Sequence, residues 1–111
     1  MDKVLGMLGL AKRAGRVISG EQLCEKAIKS GDSQLIIIAC DSSENAKKAI
    51  TDCCRHYRVQ YIEYGSKEAL GQFTGSAYRA VVSVNDRNFA QAILQKYSAN
   101  QERNGENIWQ V

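Results

Sequence analysis

The sequence predicts an α/β protein, a three-layer α/β/α sandwich with a mixed four-stranded sheet. First, segments with helical spacing of apolar residues alternate with short apolar, β-rich segments, the order expected when helices cover a sheet. Second, the apolar run over residues 35–39 does not alternate, which is typical of a strand buried on both faces. Third, 111 residues suit a single domain that folds without disulfides or metal.

The first predicted elements are two helices separated by a brief strand. Apolar side chains recur at helical spacing over residues 2–14, and this helix is expected to end near Gly15. A short strand over residues 17–18 follows. We expect Ser19 to cap the second helix, because serine favours this position, and Gly31 to end it.

An acidic, serine-containing segment after the apolar strand predicts a third helix. Asp41 is its expected N-cap, with Glu44 reaching back as in a capping box. Apolar residues then recur at steps of three and four, which puts Cys53 and Tyr57 on the predicted buried stripe. A strand over residues 59–64 follows.

The second half of the chain continues the alternation with shorter elements. A capped helix is predicted over residues 66–70, then a glycine-containing loop over residues 71–78 and a β-rich strand over residues 80–84. Asn85 or Asp86 is expected to cap a last helix.

The chain divides into one domain and a tail. We assign residues 1–97 to the domain and residues 98–111 to a mobile C-terminal tail, since the tail shows no hydrophobic period. Trp109 lies in this tail.

Composition argues against several function classes. No apolar run approaches the ~20 residues of a membrane helix, and the N-terminus lacks a cleavable leader pattern, so we expect a cytoplasmic protein with no membrane partner. The four cysteines are then free thiols. One histidine and no CxxC pair argue against a metal site, and we expect no metal and no cofactor.

Common sequence signatures of enzymes are missing. There is no GxGxxG after a strand, no P-loop and no GxSxG. Cys53 and His56 are three residues apart, a spacing that can pair a thiol with a base, and Cys40 ends a predicted strand. Because buried cysteines are usually inert, we do not expect an enzyme, and thiol chemistry at Cys40 or Cys53 is the minority hypothesis.

Excess positive charge is confined to the first quarter of the chain. Residues 1–30 contain six basic and three acidic side chains, whereas residues 31–111 contain nine of each, so the first quarter accounts for the net charge of +3. On charge alone, a solvated basic face is the preferred interpretation, and an anionic partner is the alternative.

The start of the second predicted helix is the leading candidate binding site. A helix N-terminus presents unpaired backbone N–H groups and a partial positive charge, which suit phosphate. Ser19 and Gly20 precede this start, and Gln22 and Lys26 share one helix face. A glutamine amide can read base edges and a lysine neutralises phosphate, although the same residues also suit a solvated helix face. Three basic residues lie upstream: Lys12, Arg13 and Arg16.

A second candidate surface is the loop before the last predicted strand. Residues 74–79 contain small polar side chains and Tyr78, which can stack on an unpaired base. The alternative is that Tyr78 fills the rim of the core.

Three blocks in fixed order resemble a known family: Ser19 to Gly31, Leu35 to Asn45, and Leu70 to Gly75. They are similar to the ribosomal protein L-seven-Ae/L-thirty-e superfamily. The segment Gly9 to Ala14 resembles the superfamily's bacterial YlxQ-type branch. The resemblance covers roughly residues 5–95, and the three blocks together are much more specific than any one alone.

The resemblance implies an RNA-binding, ribosome- or translation-associated protein, with no DNA partner. The implied target is a kink-turn, which is a sharply bent internal loop with tandem G·A pairs, or a related bend, in ribosomal or other structured RNA. Gly20 matches the motif glycine, Lys26 the motif lysine that faces phosphate or a guanine edge, and Gln22 a polar residue that contacts bases. The loop matches the part that covers an extruded nucleotide, through Gly75, Ala77, Tyr78 and Arg79.

Two departures from the family pattern affect the expected specificity. Leu23 occupies a position often held by a guanine-reading glutamate, and Ala77 is small. Loss of one bidentate base contact costs on the order of 1–3 kcal/mol, so we expect weaker or altered specificity. Leu23 remains one of the candidate RNA-binding residues. An exposed Leu23 also motivates the alternative function, a protein-interaction module of the ribosome or RNA machinery with weak or no RNA binding.

Overall fold

The computed structural model describes residues 2–104, which form five helices and four strands. The helices are α1 (Lys3–Arg13), α2 (Glu21–Ser30), α3 (Glu44–Tyr57), α4 (Lys67–Thr74) and α5 (Arg87–Asn104). The strands are β1 (Val17–Ser19), β2 (Leu35–Ile38), β3 (Tyr61–Glu63) and β4 (Val81–Val84).

The strands form one mixed sheet in the order β1-β4-β2-β3. Strand β4 pairs antiparallel with both β1 and β2, whereas β2 pairs parallel with β3. In the central pair, Leu35 lies opposite Val84 and Ile38 lies opposite Val81. The predicted mixed four-stranded sheet is therefore confirmed.

The two faces of the sheet are covered by different helices. One core contains buried residues of α1, α4 and α5 together with Leu35 and Ile37. The other contains buried residues of α2 and α3 together with Ile36 and Ile38. Because successive side chains of a strand point to opposite faces, the apolar run of β2 supplies both cores. This arrangement is the predicted three-layer sandwich.

The predicted cap of α3 is wrong, and its predicted buried stripe is correct only in part, since Cys53 is half-buried against the core. Ser43 is the N-cap, and its hydroxyl accepts a hydrogen bond from the Ala46 N–H at 3.1 Å. Asp41 instead accepts from the Lys67 N–H at 2.8 Å, so its carboxylate holds the start of α4. With the register set by Ser43, Cys54 is fully buried and Tyr57 is exposed.

The predicted end of α4 and start of the following loop are also wrong. The helix continues through Gly71 to Thr74, whose hydroxyl donates to the Leu70 carbonyl at 2.7 Å. It ends at Gly75, which has a left-handed backbone conformation with a φ of 82°. Glycine is the preferred residue for this type of helix end. The loop therefore covers residues 75–80 rather than 71–78.

The last helix is longer than predicted. Asp86 caps α5, as one of the two predicted alternatives, and accepts from the Phe89 N–H at 2.9 Å. The helix continues to Asn104, so residues 98–104 of the predicted tail are helical. Asn100 donates to the Tyr64 hydroxyl at 3.3 Å, a contact that holds this extension against the domain. The rest of the predicted tail, residues 105–111 with Trp109, lies outside the described residues, and the domain limit at residue 97 stays a prediction.

No helix within residues 2–104 is long and apolar enough to span a membrane.

Candidate nucleic-acid interface

The N-terminus of α2 lacks the side-chain cap that the other described helices have. Its N-cap is Gly20, and no side chain accepts a hydrogen bond from its first turn. The capping side chains elsewhere are Asp2 for α1, Ser43 for α3, Ser66 for α4 and Asp86 for α5. In α2 the first intrahelical bond joins the Cys24 N–H to the Gly20 carbonyl at 3.0 Å. The N–H groups of residues 21–23 therefore have no intrahelical acceptor and are available to a ligand.

Ser19, the predicted cap, does not cap α2 because it belongs to a paired strand. Ser19 is the last residue of β1 and lies opposite Val82, so its backbone is extended. The cap position passes to Gly20, whose φ of 101° and ψ of 145° are unfavourable for a residue with a side chain. The Gly20 N–H donates to the Val81 carbonyl at 3.1 Å. This bond connects the start of α2 to the first residue of β4.

The loop over residues 75–80 is held by backbone hydrogen bonds to α4 and to the residue that follows β2. The Ser76 N–H donates to the Gly71 carbonyl at 2.7 Å, and the Arg79 N–H donates to the Lys67 carbonyl at 2.9 Å. At the far end the Ala80 carbonyl accepts from the Ala39 N–H at 2.8 Å. The ends of the loop are thus fixed while Tyr78, 64% exposed, faces solvent.

Gly71 is required for the close approach between α4 and this loop. A Cβ at this position would lie 2.7 Å from the carbonyl carbon and oxygen of Ala77 and 2.8 Å from the Tyr78 nitrogen. Any larger residue would therefore displace the loop backbone. The sequence pattern placed Gly71 in the loop and did not indicate this role, because the contact depends on a turn six residues away.

Two cations belong to the site. Lys26 is exposed and forms no ion pair among the described residues, whereas Lys29 pairs with Glu25 at 3.6 Å. Arg79 lies near Cys24: burial raises the pKa of the Cys24 thiol to about 12, and the charge of Arg79 opposes that shift. The Arg79 Nε is enclosed and has no hydrogen-bond partner among the described residues.

One carboxylate opposes these cations. Glu21 is exposed in the first turn of α2, and its charge contributes to the raised pKa of the Cys24 thiol after burial, the largest cause. A carboxylate here favours the helix but repels an anion.

The predicted site residues on α2 and in the loop come together in one region. Gln22 and Lys26 lie on the exposed face of α2, and Leu23 is 54% exposed beside them. Ala77 and Tyr78 are exposed in the adjacent loop. The region combines open backbone donors, cations and apolar side chains.

The upstream basic residues are divided between two places. Lys12 and Arg13 are exposed at the end of α1 and line a groove with Gly75, close to the start of the loop. The Arg16 carbonyl accepts from the Asn85 N–H at 2.8 Å, which anchors Arg16 at the opposite end of β1. Gly20 is four residue steps further along an extended segment, roughly 13 Å away, so Arg16 lies at the periphery of the site.

Cys53 and His56 do not form a thiol–base pair among the described residues. Burial raises the pKa of Cys54 to about 12 and also raises that of Cys53, which disfavours a thiolate nucleophile at either position. His56 packs edge-on against Tyr57, with ring centroids 4.8 Å apart, and no hydrogen bond joins it to Cys53 in the described chain. Within residues 2–104 no group of three His, Cys, Asp or Glu side chains is arranged to hold a metal ion.

The chain is similar to one protein family and to a named bacterial protein. Residues 2–94 match the Ribosomal protein L7Ae/L30e/S12e/Gadd45 family. The RNA-binding protein YlxQ of Bacillus subtilis (strain 168) is 40% identical over 88 residues, which cover 79% of this chain and 88% of the relative.

Two solved structures have the same fold. A protein of unknown function from Bacillus halodurans is 31% identical with a TM-score of 0.85, over 88% of this chain and 99% of that one. A 15.5 kD RNA-binding protein of Giardia lamblia is 19% identical with a TM-score of 0.74, over 90% of this chain and 86% of that one. The match to the Bacillus halodurans protein extends over nearly the whole of that protein. The match to the Giardia lamblia protein, at 19% identity, shows a shared fold alone.

Proposed function

The chain belongs to the Ribosomal protein L7Ae/L30e/S12e/Gadd45 family, and from this premise we propose that it binds structured RNA at a kink-turn or a related bent internal loop. The observation that carries the proposal is the uncapped N-terminus of α2 beside the loop over residues 75–80, with the Gly20 N–H bonded to the Val81 carbonyl. A ribosomal or other translation-associated RNA is the expected target.

The phosphate backbone is the part of the RNA that the start of α2 suits. The N–H groups of residues 21–23 and the partial positive charge of the helix end favour a phosphate oxygen. Lys26 adds a charge that no carboxylate neutralises among the described residues. Such contacts set the position of the RNA and give the complex its dependence on salt.

The base-contacting part of the site is mostly apolar. Leu23 and Tyr78 present exposed surface to a base pushed out of the stack, and Gln22 can hydrogen-bond a base edge. With no carboxylate at position 23, one bidentate base contact, worth on the order of 1–3 kcal/mol, is missing. We therefore expect recognition by shape and stacking more than by a guanine edge.

A gel-shift titration with a kink-turn RNA tests the proposal, beside the same RNA with its G·A pairs replaced. We expect the intact RNA to bind more tightly. Equal and weak shifts with both RNAs would contradict kink-turn recognition.

A matched pair of lysine variants tests the location of the site. Lys26→Gln removes an unpaired cation, whereas Lys29→Gln removes one that pairs with Glu25 at 3.6 Å. Each phosphate contact adds about one unit to the slope of log affinity against log salt. We expect Lys26→Gln to weaken RNA binding and to lower this slope by about one. We expect Lys29→Gln to change neither the affinity nor the slope. The opposite ranking would place the RNA elsewhere.

The exposure of Leu23 favours a second candidate, a protein-interaction module of the ribosome or RNA machinery. At 54% exposed, Leu23 offers apolar contact at the edge of the site. A pull-down before and after ribonuclease treatment separates the two functions: partners lost on treatment support RNA binding, and partners that all remain support the protein module.

A further inference from the structure

An open apolar groove lies between α1 and α4, on the face of the sheet opposite α2. Its volume is about 870 Å³, and its apolar floor includes Met7, Leu10 and Phe73. Leu10 is 46% exposed because it lies off the stripe by which α1 packs on the core. The two helices lie close together at Gly9, where a Cβ would make an ordinary van der Waals contact of 3.5 Å with Phe73 Cδ1.

The rim of the groove is basic. Its charged lining residues are Lys3, Lys12, Arg13 and Lys96. No acidic side chain lines the groove among the described residues, and none of these four cations forms an ion pair there. An occupant is therefore expected to combine apolar side chains with negative charge.

We propose that this groove docks an acidic amphipathic helix of a protein partner. Grooves between two helices accept a third helix that inserts an apolar ridge, with anchors spaced three and four residues apart. Helix α1 has 11 residues and is roughly 16 Å long, enough for about three turns of a docked helix. Leu10 and Phe73 then contact its apolar stripe, while glutamates or aspartates beside that stripe face the basic rim.

An RNA strand suits the groove less well. Phosphates are attracted to the rim but gain nothing from an aliphatic floor, and Phe73 is half-buried against the core and offers only part of its ring for stacking. The RNA site proposed above starts from α2 on the other side of the sheet. This second surface is a separate function that can exist whether or not the chain binds a kink-turn.

Amide chemical-shift mapping on the full chain tests the proposal with defined probes. The first probe is a synthetic peptide of about four helical turns with leucines on one face and glutamates on the other. The second has the same composition in shuffled order, the third replaces glutamate by lysine, and the fourth is a single-stranded oligonucleotide. We expect the first probe alone to shift residues 6–13 and 72–75 in a saturable manner, less strongly at high salt.

Two matched variants make the result specific. Leu10→Gln keeps helix propensity and removes the exposed apolar contact, so we expect about fivefold weaker peptide binding. Tyr57→Gln is the control. Tyr57 is 43% exposed, close to the 46% of Leu10, but lies on α3 in the opposite layer. We expect this variant to bind the peptide as the unaltered chain does. No saturable shift, an equal response to the shuffled peptide, or equal binding by Leu10→Gln overturns the proposal.

The same samples distinguish this proposal from the proposed function. If the oligonucleotide shifts the groove amides and the acidic peptide does not, the groove is an RNA surface and the protein-docking proposal is wrong. A kink-turn RNA reports separately through residues 20–26 and 76–79, and we expect Leu10→Gln to bind it within about twofold of the unaltered chain.

Discussion

Replacing Gly71 by alanine is the sharpest test of how α4 positions the loop. The new Cβ would lie 2.7 Å from the Ala77 carbonyl carbon, where ordinary carbon contacts are about 3.5–4.0 Å apart. The neighbouring atoms are backbone, so the loop has to move by roughly 1 Å. Overpacking of this kind costs about 1–3 kcal/mol, of which the better helix propensity of alanine offsets about 1. We expect a net loss of up to about 2 kcal/mol in the free energy of unfolding.

Gly9→Ala is the matched control, because Gly9 also lies inside a helix. Its Cβ would meet Phe73 Cδ1 at 3.5 Å, an ordinary van der Waals contact. Only the propensity gain then applies, and the variant is expected to be more stable by up to about 1 kcal/mol. The same glycine-to-alanine change therefore has opposite signs at the two positions.

Urea unfolding of both variants measures these free energies, and a gel-shift titration measures RNA affinity. For Gly71→Ala we expect a lower midpoint and roughly tenfold weaker RNA binding, since a displaced loop loses about one contact of 1–3 kcal/mol. If Gly71→Ala is as stable as the unaltered chain and binds RNA equally well, the reasoning about loop support is refuted.

Three further predictions concern α2 and the buried thiols. Gly20→Ala forces a side chain into a backbone with a φ of 101°, and we expect about 1–3 kcal/mol lower stability by urea unfolding. An unchanged stability would contradict the argument from backbone strain. Glu21→Gln removes the carboxylate beside the phosphate position, so RNA affinity in the gel shift rises about two- to fivefold at low salt; an unchanged affinity would place the phosphate elsewhere. Burial raises the pKa of Cys24 and Cys54 from 9.0 to about 12, so their contribution to stability is present below pH 9 and lost as pH rises towards 12. Urea midpoints measured from pH 9 to 12 are expected to fall, and to fall less in Cys24→Ala. If the midpoint falls equally in that variant, the loss of stability comes from other groups.

The elements that the sequence predicted well are those whose signals are local. The uninterrupted apolar run of β2 indicated a strand buried on both faces, and Ile36 and Ile37 do face different cores. Gly31 ends α2 as predicted, and its backbone there is left-handed, a conformation that favours glycine.

The wrong predictions concern residues whose roles depend on distant contacts. Asp41 has the composition of a cap for the helix that follows it, yet its carboxylate holds the Lys67 N–H, 26 residues away. Ser19 has the composition of a cap but is committed to pairing with Val82. Asp41 and Ser19 both have side chains that favour a helix N-cap. Each instead has a partner that is close to it only in the folded domain, the Lys67 N–H for Asp41 and the paired strand β4 for Ser19.

The candidate site divides in the same way. The face of α2 that includes Gln22 and Lys26 follows from helical spacing alone. That the loop with Tyr78 lies next to it depends on the antiparallel register of β1 and β4, which no local pattern encodes. The groove at Leu10 was missed, although its position off the apolar stripe of α1 was a usable signal.

Helix α4 connects the two proposed surfaces physically. Its Gly71 supports the loop of the RNA site, while Phe73 forms part of the floor of the groove, and Gly75 borders both. With the groove open, Gly71 already contacts the Ala77 backbone, and backbone hydrogen bonds already hold the ends of the loop. Docking of a helix in the groove is therefore expected to leave RNA affinity unchanged. Because coupling between two binding sites is reciprocal, RNA is likewise expected to leave docking of the partner helix unchanged.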